Sequence, residues 1–210
     1  MHLSPEAARV LGCLIEKSQA TPEYYPMTLN ALAAACNQKN SRDPVVEYSS
    51  EEVEDALGQL RDRGLCAFVS GEGRVLKYAH RCGDSGMGLA QAQQAALSLM
   101  LLRGPQTFGE IKNRSGRQYE FSSLEEVQEV IDALNQREPP LAEQAPRQTG
   151  QKEVRYRHLF FENAEATAPA TVATSSLRIE VETLKHLVRT MQERIEKLEA
   201  ELRQIKADLY

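Results

Sequence analysis

Residues 49–63 read SSEEVEDALGQLRDR, and residues 123–137 read SLEEVQEVIDALNQR. Both follow one formula, S-x-x-E-V-x-(D/E)-(A/V)-(L/I)-x-x-L-x-x-R. A serine opens each segment as an N-cap, and glutamates fill the first turn, where the helix dipole favours negative charge. Val53, Leu57 and Leu60, like Val127, Ile131 and Leu134, recur at helical spacing. Two further blocks repeat in the same order. Pro26-Met27-Thr28 answers Pro105-Gln106-Thr107 before the helix, and Lys77-Tyr78-Ala79-His80 answers Arg155-Tyr156-Arg157-His158 after it. One such match could be chance; three in order indicate an internal duplication.

The surroundings of each copy complete a fold. Ser4-Pro5-Glu6 starts a helix running to about Lys17, and Thr28 caps a second. Gly64 ends the third helix, and two strands follow, roughly 65–70 and 74–80, with a turn at Gly71-Glu72-Gly73. In the second copy the helices are 89–103, a short one capped by Thr107 and Glu110, and 123–137, followed by a hairpin over about 141–160. Helix, helix, helix, hairpin is the order of a winged helix-turn-helix. The expected fold is therefore mainly α with small β-hairpins: winged-helix domains over 1–81 and 89–162, a glycine-containing linker at 82–88, and a flexible Ala/Thr/Ser/Pro linker at 163–176.

The C-terminal segment, 177–210, carries a heptad seam. Leu177, Val181, Leu184, Val188, Met191, Ile195, Leu198, Leu202, Ile205 and Leu209 step by four and three without a break. Mostly β-branched a positions with mostly Leu at d favour a parallel two-stranded coil. Glu180 with Lys185, Arg194 with Glu199, and Glu201 with Lys206 would pair oppositely across it. A homodimer through this coiled-coil helix is the expectation.

Composition narrows function. The 210 residues carry a net charge of −5, 41% hydrophobic and 6% aromatic residues, and no Trp. That balance suits small helical domains and gives no global attraction to polyanions. Cys13, Cys36, Cys66 and Cys82 lack zinc spacing and are expected as reduced core thiols. With no secretory signal pattern and no apolar run of spanning length, the reading is a soluble, cytoplasmic protein without a membrane role. His80 and His158 fall at equivalent strand ends, where packing or hydrogen bonding accounts for them. Nucleophile elbows, phosphate-binding glycine loops and metalloprotease helices are all missing from the sequence. Neither an enzyme nor a cofactor, metal or small-molecule substrate is expected.

Two surfaces remain as candidates for binding. Glu51, Glu52 and Asp55 on one third helix, and Glu125, Glu126 and Glu129 on the other, face away from the aliphatic stripe. Such faces repel phosphates, so they fit a protein partner better than a DNA groove. Asn37, Gln38, Lys39 and Arg42 add a polar, partly basic loop. Basic residues gather in the second copy: Lys112, Arg114 and Arg117, then Arg147, Lys152, Arg155 and Arg157 on the wing. These offer phosphate contact without sequence reading.

Longer motifs carry a family likeness. Leu14-Ile15-Glu16-Lys17, residues 25–32 (YPMTLNAL), residues 35–45 (ACNQKNSRDPV) and Leu102-Arg103-Gly104-Pro105-Gln106-Thr107 resemble the bacterial YceH-like family over about residues 4–162. The resemblance implies tandem winged helices and carries over no activity, substrate or catalytic residue. The reading is a non-enzymatic, dimeric adaptor or regulator working through protein contacts. Its alternative is a DNA-associated regulator or nucleoid-type protein gripping phosphates through the second wing.

Overall fold

The computed structural model describes residues 2–69, 75–147, 151 and 153–160. The coiled-coil expectation at 177–210, the linker at 163–176, the turn at 71–73 and Lys152 lie outside these residues. The described part is mainly helical with small antiparallel sheets. Helix α1 spans Pro5–Ala20, followed by a 3-10 turn at Pro22–Tyr24 and strand β1 at Met27–Thr28. Then come α2 (Leu29–Cys36), α3 (Ser50–Asp62), β2 (Cys66–Val69) and β3 (Lys77–His80). The second half holds α4 (Gln91–Arg103), α5 (Phe108–Ser115), α6 (Leu124–Asn135), β4 (Ala142–Gln144) and β5 (Tyr156–His158).

Local chemistry sets most helix starts. Ser4 Oγ accepts the Ala7 N–H at 3.1 Å, and Thr28 Oγ1 accepts that of Ala31 at 3.3 Å. Reciprocal capping boxes join Ser49 with Glu52 and Thr107 with Glu110. Each such cap is worth about 1 kcal/mol. Helix α4 starts at Ala90, which has no capping oxygen; the Gln93 side chain takes the Ala90 N–H instead, at 3.0 Å. Gly64 ends the α3 region at φ +69°, a conformation that favours glycine.

The duplication extends to individual hydrogen bonds. In the first half β3 lies between β1 and β2, pairing Met27 with Tyr78 and Cys66 with His80. In the second, β5 pairs Ala142 with His158, and Gln106 bridges to Tyr156 where Met27 met Tyr78. Leu65 N–H donates to Leu60 O at 2.8 Å, and Leu141 N–H to Leu134 O at 3.0 Å. The repeated Pro-x-Thr block thus does two jobs that the sequence showed as one. Its middle residue joins the sheet while its threonine caps the helix.

A single hydrophobic core runs through both halves. Helices α1 and α4 lie at its centre and are buried almost all round: Ala7–Ile15 in α1, Ala95–Leu102 in α4. They pack on one another at Gly12, where an added Cβ would stand 3.0 Å from Leu101 and Leu102 side-chain atoms. The ends are joined reciprocally. Leu89 N–H, ahead of α4, donates to Cys82 O at the end of the first half (2.9 Å), and Leu3 N–H, ahead of α1, donates to Phe160 O at the end of the second (2.6 Å). Residues 82–88, expected as a linker, form a compact turn with Gly86 and Gly88 N–H donating to Gly83 O. Sharing a core buries the apolar α4, whose sequence offers no polar face wide enough for it to sit at a surface.

All four cysteines are buried and unbridged. Among the described residues no helix is long and apolar enough to cross a membrane, and no group of His, Cys, Asp and Glu could hold a metal ion.

Candidate functional site

The acidic candidates divide by what their carboxylates touch. Glu51, Asp55, Glu125 and Glu129 are exposed on α3 and α6. Glu52 is turned back onto its own helix start, accepting the Ser49 N–H at 2.7 Å, and these hydrogen bonds hold its carboxyl below the usual carboxylate range. Glu126 accepts from the Ser122 hydroxyl, the Tyr119 hydroxyl and the Ser122 N–H, all at 2.7 Å, and its carboxyl is lowered for the same reason. Glu125 is likewise held by its own N–H and the Ser123 side chain, which lower its carboxyl, so Glu51, Asp55 and Glu129 present outward charge and the other three are local braces.

Beside α3 the first hairpin exposes apolar surface. Phe68 is 42% exposed, Val75 63% and Leu76 57%; among the described residues the other large hydrophobics so exposed, Tyr24, Val45 and Leu124, are scattered along the chain. The Arg61 guanidinium lies 4.3 Å from the Phe68 ring centroid, and Phe68 packs against Tyr78 at 5.2 Å. The hairpin thus brings the Phe68 ring together with the Arg61 guanidinium, and burial, with Glu54 of α3 nearby, raises the pKa of the Tyr78 hydroxyl.

The 37–42 loop is less open than its sequence suggests. Asn37 pairs with the Tyr48 backbone through both amide atoms at 2.8 Å. Arg42, expected on the surface, is buried at 5% exposure. It donates to both Glu16 carboxylate oxygens (3.1 and 2.6 Å), to Ala35 O and to Gln38. Five-donor geometry explains the reversal: a guanidinium can close the end of α2 and neutralise Glu16 at once. Gln38 and Lys39 stay exposed.

The basic candidates of the second half divide as well. Arg155 forms a bidentate pair with Glu110 (2.6 and 3.1 Å), and Arg157 Nε donates to Glu143 at 2.7 Å. Both wing arginines are thus neutralised within the half that carries them. Glu110 is pulled in opposite directions: burial raises its pKa, while the Thr107 N–H and Arg155 lower it, and the lowering prevails. Lys112 donates to Ser122 O at 2.8 Å, and Arg114 engages Gln106 and Glu110. Arg147 is exposed.

Arg114 and Arg117 meet the first half in a cleft of about 500 Å³. Its walls include Lys17 and Ala20 from α1, Gln38 and Lys39 after α2, and Leu99, Leu102 and Arg103 from α4. Tertiary packing thus unites two candidate groups that lie some 75 residues apart in sequence. Lys17 and Arg103 figure in the sequence only as members of family motifs, not as site candidates. The signal was present: each occupies the last turn of the first helix of its repeat.

The two histidines act as internal hydrogen-bonding groups. His80 Nδ1 accepts the Cys82 N–H at 3.1 Å while Nε2 meets Ser18 Oγ at 2.8 Å; His158 Nδ1 accepts the Phe160 N–H at 3.2 Å. Burial pushes both imidazoles down to about 4, so they are neutral at physiological pH.

Comparison with known proteins agrees with the motif reading. The family model described as "Protein of unknown function, DUF480" matches residues 3–151. A UPF0502 protein of Shewanella sp. (strain MR-7) is 42% identical over 210 residues, covering 98% of this chain and 92% of the relative. One from Shewanella oneidensis is 41% identical over 213 residues, covering 100% and 93%. One from Koribacter versatilis is 46% identical over 175 residues, covering 83% and 81%. Identity of this extent over nearly whole chains leaves one assignment: the protein belongs to the bacterial UPF0502 (DUF480) family, the YceH-like group its motifs resemble.

Proposed function

We propose that this is a non-enzymatic binding protein of two fused winged helices that docks a protein partner through its first half. The observation that carries the reading is the exposed Phe68, Val75 and Leu76 of the first hairpin, with Arg61 of α3 against the Phe68 ring. Apolar anchors rimmed by charge are the usual makings of a protein interface. The partner surface that fits is apolar. DNA association through the second wing draws less support, because Arg155 and Arg157 already have carboxylate partners. Acids on α3 and α6 would also face phosphates if either helix entered a groove.

The heptad seam at 177–210 supports a homodimer, with the parallel coil doubling the docking surface. Two experiments test the proposal. Crosslinking in the native cytoplasm should capture a partner with the full chain and lose it with Val75→Ser/Leu76→Ser. A salt-titrated gel shift with random duplex should show no complex at low salt. A shift abolished by neutralising Arg147, Lys152, Arg155 and Arg157 would overturn the reading. For the dimer, the full chain should scatter as two chains and a chain lacking residues 165–210 as one; two chains in both, or one in both, rejects it.

A further inference from the structure

The cleft between the two halves gathers positive charge in a chain whose net charge is −5. Lys17, Lys39, Arg103, Arg114 and Arg117 reach it from both halves. Its single acidic lining residue, Glu16, is already taken by Arg42 at 2.6 Å and approached by Lys17 at 3.7 Å. Helix ends explain part of the cluster, because Lys17, Arg103 and Arg114 sit in last turns and complement the carbonyl termini. They do not explain Lys39 and Arg117, which lie past the helices and have no partner among the described residues.

Arg103 supplies an independent sign. Its Nε is buried and has no hydrogen-bond partner. Burial, with Arg114 and Arg42 nearby, disfavours its charge. A buried donor left unmade is costly and leaves the Arg103 charge incompletely compensated by the protein's own groups. Leu99 and Leu102 give the cleft an apolar floor, and its size, about 500 Å³, is that of a small-ligand site.

We propose that this cleft binds a small diphosphate-bearing ligand, its phosphate oxygens held by Arg103, Arg114, Arg117 and Lys39. Guanidinium groups match phosphate bidentately, and with Arg114 shared with Glu110 the remaining Arg103, Arg117 and Lys39 match a diphosphate better than a single phosphate. The ligand is bound and not turned over, and the site is separate from the docking face of the first half.

The test is titration calorimetry on the full chain at low ionic strength, with ADP and inorganic pyrophosphate as probes and no divalent cation. Binding of either supports the site. Tighter ADP binding assigns an organic diphosphate resting on the apolar floor, and equal affinities assign the inorganic ion. Arg117→Gln and Lys39→Gln, both exposed and safe for folding, should each weaken binding about tenfold, as loss of one charge-assisted hydrogen bond predicts. Arg103→Gln should do so with an unchanged circular-dichroism melt. No heat from either probe, or affinity indifferent to all three substitutions, overturns the proposal. So does displacement of ADP by a polyglutamate peptide at equal charge, which would make the site a general anion surface.

Discussion

The two halves share a plan and differ in where each anchors an ion pair on its second helix. In residues 3–82 the pair closes the C-terminal end: Arg42, 5% exposed, locks Glu16, Ala35 O and Gln38 together. In residues 89–160 it braces the opposite end, where Arg155 reaches from the wing to Glu110 in the first turn of α5, with its side chain 30% exposed. The same duplicated backbone thus carries one buried and one solvent-screened ion pair. The wings diverge with them. The first is freed to expose Phe68, Val75 and Leu76, while the second spends its arginines on its own carboxylates. Duplication preserved caps and strand register; divergence changed which charges are available to a partner.

Arg42→Ala should have the largest effect, destabilising the protein by about 3–5 kcal/mol, because it leaves Glu16 without its main cation in a mostly covered site. Chemical denaturation measures this. A loss similar to that of Arg155→Ala would erase the distinction between the halves.

Acid should weaken both halves through the repeated histidines. Their folded pKa values, about 4, lie below the unfolded 6.5, so the unfolded chain binds more protons between those limits. Stability is therefore full above about pH 6.5 and falls as pH drops toward 4, by up to about 3 kcal/mol per histidine. The two histidines contribute alike, because burial displaces both to the same value. Unfolding free energy followed from pH 7 to 4 should show this slope, and His80→Gln and His158→Gln should each flatten it by a similar amount. An identical slope in wild type and both variants would show that these imidazoles charge without penalty.

At the junction, Gly12→Leu should cost about 1–3 kcal/mol by forcing α1 off Leu101 and Leu102. Its sharper readout is cooperativity. Amide exchange should rise in both halves together, as one core requires, and a rise confined to α1–α3 would mean that the halves unfold separately.

Arg155→Ala should be mildest, about 1 kcal/mol or less, since solvent screens its pair with Glu110. Matched denaturation curves with Arg42→Ala give the contrast directly.

Much of the fold was legible because its determinants are local. Ser4, Thr28, Ser49, Thr107 and Ser123 cap the helices their spacing indicates, and the repeated blocks reappear as matched strand pairs. Strand β1 and the bridge at Gln106 were not legible, since a two-residue pairing has no period to read. Arg42 was placed on the surface because a run of polar residues looks solvated; only its distant partner Glu16 makes burial favourable. The basic cleft was half visible. Lys39 and Arg117 were singled out in unrelated segments, and Arg103 passed as the end of an apolar helix.

The amino-acid order alone indicated most helices with their caps, and the hairpins, because each depends on neighbours within a few turns of chain. Tertiary structure alone settled the shared core, the reciprocal joining of Leu3 to Phe160 and Leu89 to Cys82, and the meeting of cations from both halves. Those depend on which buried surfaces fit together, and contacts between residues far apart in the chain leave no periodic mark on it.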